Sequence, residues 1–128
     1  MAGKKILIVE DDQDVLLGLS VRLKKNGYAV VSASDAVLAA SVAVKEEPDL
    51  VILDIGLPGG DGFLVMERLK SCLPKLIPIV VLSARDPVTS MKRAFEAGAA
   101  CFIQKPADND KLLSTILKAL VEPKRVPR

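Results

Sequence analysis

Five short apolar runs recur along the chain, each followed by a longer segment of mixed polarity. They are "KILIV" (5–9), "AVVSA" (29–33), "LVILD" (50–54), "PIVVLS" (78–83) and "ACFIQ" (100–104). None of them alternates apolar with polar residues, so a strand made from any of them has no face suited to water. Strands covered on both faces belong to parallel sheets, and parallel neighbours need a crossover, usually a helix, between them. This pattern constrains the fold more than any single motif does.

The intervening segments supply the helices. Residues 13–27, "QDVLLGLSVRLKKNG", place Val15, Leu19 and Leu23 on one face, with Asp12 as N-cap and Gly27 just past the end. Ser34 or Asp35 caps a second helix that runs to about Glu47, where Pro48 stops it. Residues 61–73 form a third, with Phe63, Met66 and Leu69 inward. Asp86-Pro87 reads as N-cap and first helical residue of a fourth, which closes at Gly98. Asp108 caps a fifth, carrying Leu112, Leu113, Ile116, Leu117 and Leu120 at helical spacing. The expectation is an α/β fold, (βα)5, with a doubly wound parallel five-stranded sheet in the flavodoxin-like order 2-1-3-4-5. Residues 1–121 make one domain, and "EPKRVPR" (122–128) reads as a tail or the start of an interdomain linker.

Composition excludes several functions. There is no histidine, which removes Ser-His-Asp and Cys-His nucleophile systems and the usual zinc sites. Cys72 and Cys101 are far apart and read as small buried hydrophobes rather than a disulfide or metal pair. The net charge of +2 comes from the tail; residues 1–121 carry 15 basic and 15 acidic side chains. With three Phe and one Tyr, no nucleic-acid surface is expected. No apolar run is long enough to span a bilayer and no leader opens the chain, so the expectation is a cytoplasmic protein without membrane contact.

Sheets of this kind bind ligands beyond the carboxyl ends of their strands. Strand 1 ends in Glu10-Asp11-Asp12, strand 3 in Asp54, strand 4 in Ser83-Ala84 and strand 5 in Lys105-Pro106. The expected order sets these four strands side by side, so acids, hydroxyl and ammonium share one mouth. Carboxylates about 4 Å apart repel by roughly 4 kcal/mol per pair at an effective dielectric near 20. A cation among them relieves that, and an all-oxygen ligand set selects a hard ion, Mg²⁺ before Mn²⁺. Taken singly, each residue has a plainer role: Asp12 as a helix cap, Ser83 as a loop hydroxyl, Lys105 as a solvated cation.

The set "ILIVEDD" (6–12), "VILDIGLPGGDG" (51–62), "VLSA" (81–84) and "FIQKP" (102–106) resembles the receiver domain of two-component response regulators, in order and separation, from residue 4 to about 121. The resemblance implies that Asp54 accepts a phosphoryl group from a phosphohistidine on a sensor histidine kinase or histidine phosphotransfer protein. It implies Asp11 and Asp54 as Mg²⁺ ligands, Glu10 as a ligand through water and Gly56 as a backbone-carbonyl ligand. Ser83 and Lys105 hold phosphoryl oxygens, and Pro106 follows a cis peptide that aims Lys105. Phe102 matches the aromatic switch position beside Ser83. Helix 4, strand 5 and helix 5, with Met91, Lys92, Phe95, Asn109 and Lys111, form the expected output surface for an effector or a linked output domain, and a homodimer through that face is left open. Gly56 and Arg85 depart from common family usage and are expected to tune phosphate lifetime. Such a domain is not a conventional turnover enzyme; it catalyses its own phosphorylation and dephosphorylation.

Two rivals remain at this point. A small-molecule phosphohydrolase of the haloacid-dehalogenase kind wants a second Asp where Gly56 stands. A receiver-like binding module that never takes phosphate needs no complete set of acid pair, acceptor and lysine, and here the set is complete.

Overall fold

The computed structural model describes residues 3–55, 62–72, 77–83, 87–105 and 108–121. Gly56, Gly59, Gly60, Arg85, Asp86, Pro106 and the 122–128 segment lie outside the described residues. The elements run β1 (Lys5–Val9), α1 (Gln13–Lys25), β2 (Ala29–Ala33), α2 (Ala36–Glu46), β3 (Leu50–Asp54), α3 (Gly62–Cys72), β4 (Ile79–Ser83), α4 (Pro87–Glu96), β5 (Cys101–Gln104) and α5 (Asn109–Val121). The sheet is five-stranded, parallel and ordered β2-β1-β3-β4-β5, as the pattern of apolar runs predicts.

Alternation along each strand sorts the apolar runs into two cores. Leu7, Val9, Val51, Leu53 and Val81 face Ala39 and Ala43 of α2, Met66 and Leu69 of α3 and Ala94 of α4. Ile6, Ile8, Leu50, Ile52, Val80 and Leu82 face Leu19 and Leu23 of α1 and Leu112 and Ile116 of α5. Each fully buried Leu or Ile stabilises the fold by about 1.5–3 kcal/mol, which is why both faces of the sheet are closed by helices.

Local chemistry sets the helix ends. Asp12 Oδ1 accepts from the N–H groups of Asp14 (2.9 Å) and Val15 (3.2 Å), capping α1. Of the two candidates before α2, Asp35 is the cap, accepting from Leu38 N–H at 2.9 Å. At the end of α1, Gly27 (φ 88°) lets its own N–H reach Lys24 O and that of Tyr28 reach Leu23 O. Asp108 takes the N-cap position of α5, its carbonyl accepting from Leu112 N–H at 2.9 Å.

Element ends differ from expectation by one or two residues: α1 stops at Lys25 and α3 at Cys72. Burial departs from expectation at Cys72, while Cys101 is half-buried. Cys72 is exposed, because it ends α3 beyond the last inward position, Leu69. Leu117 is 46% exposed, because the buried stripe of α5 runs through Leu112 and Ile116 and leaves its neighbour on the solvent side.

Candidate functional site

Strand register aligns the chemistry. Val9 pairs with Leu53, Asp54 with Leu82 and Ser83 with Gln104, so Glu10, Asp54, Ser83 and Lys105 emerge together at the carboxyl edge of four adjacent strands. The β4–β5 ladder continues one step further, where Lys105 N–H donates to Ser83 O at 2.8 Å. That bond fixes the root of the lysine side chain beside β4. Glu10 is rooted likewise, its N–H donating to Ala33 O of β2 at 3.0 Å.

From this anchor Lys105 Nζ spans the mouth. It donates to Glu10 Oε1 at 2.9 Å and to Asp54 Oδ2 at 3.0 Å. Glu10 is only 2% exposed, whereas the Asp54 side chain retains 14% and that of Lys105 22%. The second oxygen of Glu10 accepts from Asp12 N–H at 3.2 Å. Asp11 projects as an exposed residue, and Glu10, Asp11 and Asp54 each present a carboxylate oxygen within 4.8 Å of the others.

The electrostatics follow from burial and these contacts. Desolvation pushes the Glu10 carboxyl above its ordinary 4.5 and Asp54 pushes it the same way, while Lys105 and the Asp12 N–H pull it back without winning. Burial alone would lower the Lys105 ammonium, but hydrogen bonds and charge from Glu10 and Asp54 outweigh it and hold the group above 10.5. Among the described residues the mouth therefore gathers three carboxylates, Glu10, Asp11 and Asp54, around the Lys105 ammonium.

The three strand-1 acids divide their work. Asp12 is spent as the α1 cap, leaving Glu10 and Asp11 for the cluster. Ser83 lies at the floor of the site with 1% exposure. Phe102 is half-buried and packs against the core formed with α2, α3 and α4. Gly56, Arg85 and Pro106, expected to contribute a carbonyl, a rate-tuning side chain and a cis peptide, are outside the described residues.

Sequence reasoning missed two things. One is the direct Lys105–Glu10 bond, between residues 95 positions apart with no local signature. The other is Gly62. Its N–H donates to Ile55 O at 3.3 Å, and a Cβ there would lie 2.8 Å from that same oxygen and closer still to Ile55 Cα. The start of α3 thus abuts the residue after Asp54, and only a residue without a side chain fits.

Among the described residues no helix is long and apolar enough to cross a membrane. The family model for the response regulator receiver domain matches residues 6–117. Sporulation initiation phosphotransferase F of Bacillus subtilis is 32% identical over 120 residues, covering 94% of this chain and 96% of that protein. The DNA-binding dual master transcriptional regulator RpaA of Synechocystis is 33% identical over 125 residues, covering 97% of this chain and 52% of the regulator. The chain spans about half the length of that regulator and of the similar KdpE proteins of Mycobacterium tuberculosis. Among solved structures, the BeF3-activated N-terminal receiver domain of Klebsiella pneumoniae RstA superposes with a TM-score of 0.87 at 34% identity, over 93% of this chain and all of that one. Receiver domains are in general non-enzymatic signalling domains that bind Mg²⁺ at an acidic site, partner with histidine kinases and often carry output domains. The parallel sheet in the order 2-1-3-4-5, the acidic cluster at its mouth and these likenesses agree: the chain belongs to the response regulator receiver domain family.

Proposed function

We propose that Asp54 is the phosphoacceptor of this domain, taking a phosphoryl group from a phosphohistidine on a sensor kinase or phosphotransfer protein in a Mg²⁺-dependent reaction. The observation that carries this reading is the Asp54 carboxylate, held at the open end of β3 against Lys105 Nζ at 3.0 Å and beside Glu10 and Asp11. An Asp54 oxygen attacks phosphorus; the P–O bond forms as the P–N bond breaks, and the imidazole nitrogen leaves with the electron pair and takes a proton. Lys105 supplies fixed positive charge to a phosphoryl oxygen and Ser83 a hydroxyl donor from the floor.

The donor set fits a hard divalent ion. It is all oxygen, and three carboxylate oxygens lie within 4.8 Å of one another, where a divalent ion relieves their repulsion. Asp11 and Asp54 would hold the ion directly, the Gly56 carbonyl would add a ligand, and Glu10 would act through water; Mn²⁺ suits the same ligands. Bound there, Mg²⁺ supplies positive charge to the phosphoryl oxygens.

The same reading covers the rest of the chain. Residues 1–121 form the receiver unit and 122–128 a tail or linker. Ser83 and Phe102 carry the switch, and Gly56 and Arg85 set how long the acyl phosphate survives. The signal leaves by α4, β5 and α5, where Met91 and Phe95 are exposed, to an effector or a linked output domain. The setting is cytoplasmic. The test is incubation with acetyl phosphate and Mg²⁺ followed by intact-mass measurement. A phosphoryl mass gain that needs Mg²⁺ and disappears in Asp54→Asn is the expected result. No gain in the unaltered chain refutes the assignment and favours a phosphate-independent binding module; a gain that persists in Asp54→Asn refutes Asp54 as the acceptor and places the phosphoryl group on another residue.

A further inference from the structure

Helix α2 is built for burial on all sides, and the domain buries only one. From Ala36 to Val44 it carries no charge and a single hydroxyl, Ser41, in a chain that is 27% charged. Ala39 and Ala43 face the core at 0% exposure, whereas Val37 is 68%, Leu38 45% and Val44 54% exposed. A helix apolar all round is a buried helix, so the outer face of α2 lacks its cover among the described residues.

The strand beneath it is an unprotected edge. β2 ends the sheet, and α2 packs on it as well as on α3. Natural edges are guarded by Lys, Pro or a bulge; "AVVSA" has neither Lys nor Pro and pairs with β1 in unbroken register. The phase of the ladder is set by Ala29 N–H donating to Lys4 O and Glu10 N–H donating to Ala33 O. In a parallel ladder alternate residues bond to one side, so Val30 and Ser32 aim their N–H and C=O groups outward.

These two groups lie symmetrically about Val31. An antiparallel β2 from a second molecule, related by a twofold axis at Val31, pairs each Val30 with the partner's Ser32 and satisfies every outward group. The axis stands across the sheet, so both copies of α2 fall on the same face of the joined sheet and run antiparallel. Charge permits self-association: Asp35 is the only charged residue between Ala29 and Val44, and its carboxylate is engaged as the α2 cap. A partner chosen by charge would find nothing to read here, whereas a second neutral copy meets no repulsion. We infer that this chain forms a symmetric dimer through antiparallel β2–β2 pairing with the outer faces of α2 packed together, leaving the Asp54 mouth and the α4–β5–α5 face open.

Sedimentation of the 128-residue chain across a range of concentrations tests this. The expected result is a reversible rise from the monomer mass of 13.7 kDa to twice that value. Val37→Glu with Val44→Glu, both at exposed positions, is expected to hold the chain at monomer mass with phosphoryl uptake unchanged. Amide exchange supplies the second readout: the Val30 and Ser32 amides slow with dimerisation and return to fast exchange in the double variant. A chain that stays monomeric throughout overturns the inference. So does a dimer that survives the double variant but is lost in Phe95→Glu on α4, and so does one in which the Val30 and Ser32 amides still exchange freely.

Discussion

Replacing Lys105 by Met in metal-free buffer removes one ammonium and keeps most of the side chain's apolar stem. The ammonium bridges Glu10 Oε1 at 2.9 Å and Asp54 Oδ2 at 3.0 Å. Without it, two carboxylates remain whose nearest oxygens lie within 4.8 Å of each other, a repulsion of at least about 3.5 kcal/mol at an effective dielectric near 20. Breaking a buried pair costs about 3–5 kcal/mol, and the partial exposure of Lys105 and Asp54 brings the expected loss toward 3 kcal/mol or somewhat below. The sign with pH follows from Glu10. Its carboxyl already stands above 4.5 through burial, and loss of Lys105 raises it further. A raised carboxyl costs nothing below the unfolded value and penalises the fold as pH climbs from that value up to the folded one. The deficit of the variant is therefore small below pH 4.5 and grows toward neutrality. In the unaltered chain the Lys105 contribution is full below 10.5 and is lost above it, as pH climbs through the raised folded value. Urea unfolding followed by far-UV circular dichroism at several pH values measures the deficit, and Glu10→Gln in the Lys105→Met background should recover most of it. An equal deficit at acid and neutral pH, or no recovery with Glu10→Gln, refutes an electrostatic role for Lys105 and leaves only lost packing.

Asp12→Ala should cost about 1 kcal/mol through loss of the α1 cap while leaving Mg²⁺-dependent phosphoryl uptake intact; Asp11→Asn should abolish uptake at little cost in stability, and the reverse pattern would mean that the two acids have exchanged roles. Gly62→Ala drives a Cβ into the Ile55 backbone and is expected to destabilise by about 1–3 kcal/mol and to slow phosphorylation of Asp54, read from urea midpoints and mass-gain kinetics. Tyr28 is the single tyrosine and burial raises its phenol above 10.0, so phenolate absorbance should appear at higher pH in the folded chain than in urea. Because an acid held neutral by burial disfavours the fold once the unfolded form ionises, stability should fall as pH rises past 10.0, and Tyr28→Phe should remove that component. Magnesium should raise the unfolding midpoint of the unaltered chain and not that of Asp11→Asn, since a ligand stabilises only the state that binds it.

The sequence alone determined what depends on near neighbours. Apolar runs without alternation specify doubly covered strands, Asp12 and either Ser34 or Asp35 cap the helices that follow them, and Gly27 and Gly98 stop α1 and α4, because each of these interactions is closed within about one helical turn. The strand-end positions of Glu10, Asp54, Ser83 and Lys105 were legible for the same reason, and a shared mouth followed from the expected strand order. Which acids face one another was not legible. Lys105 meets Glu10 and Asp54 across 95 and 51 residues, and Gly62 closes on Ile55 although residues 56–61 stand between them in the chain. Burial of α2 could not be read either, since a helix apolar on every side does not say which face the domain will cover. Those outcomes rest on strand register and helix packing, which bring together groups that share no local signal and which only the folded chain defines.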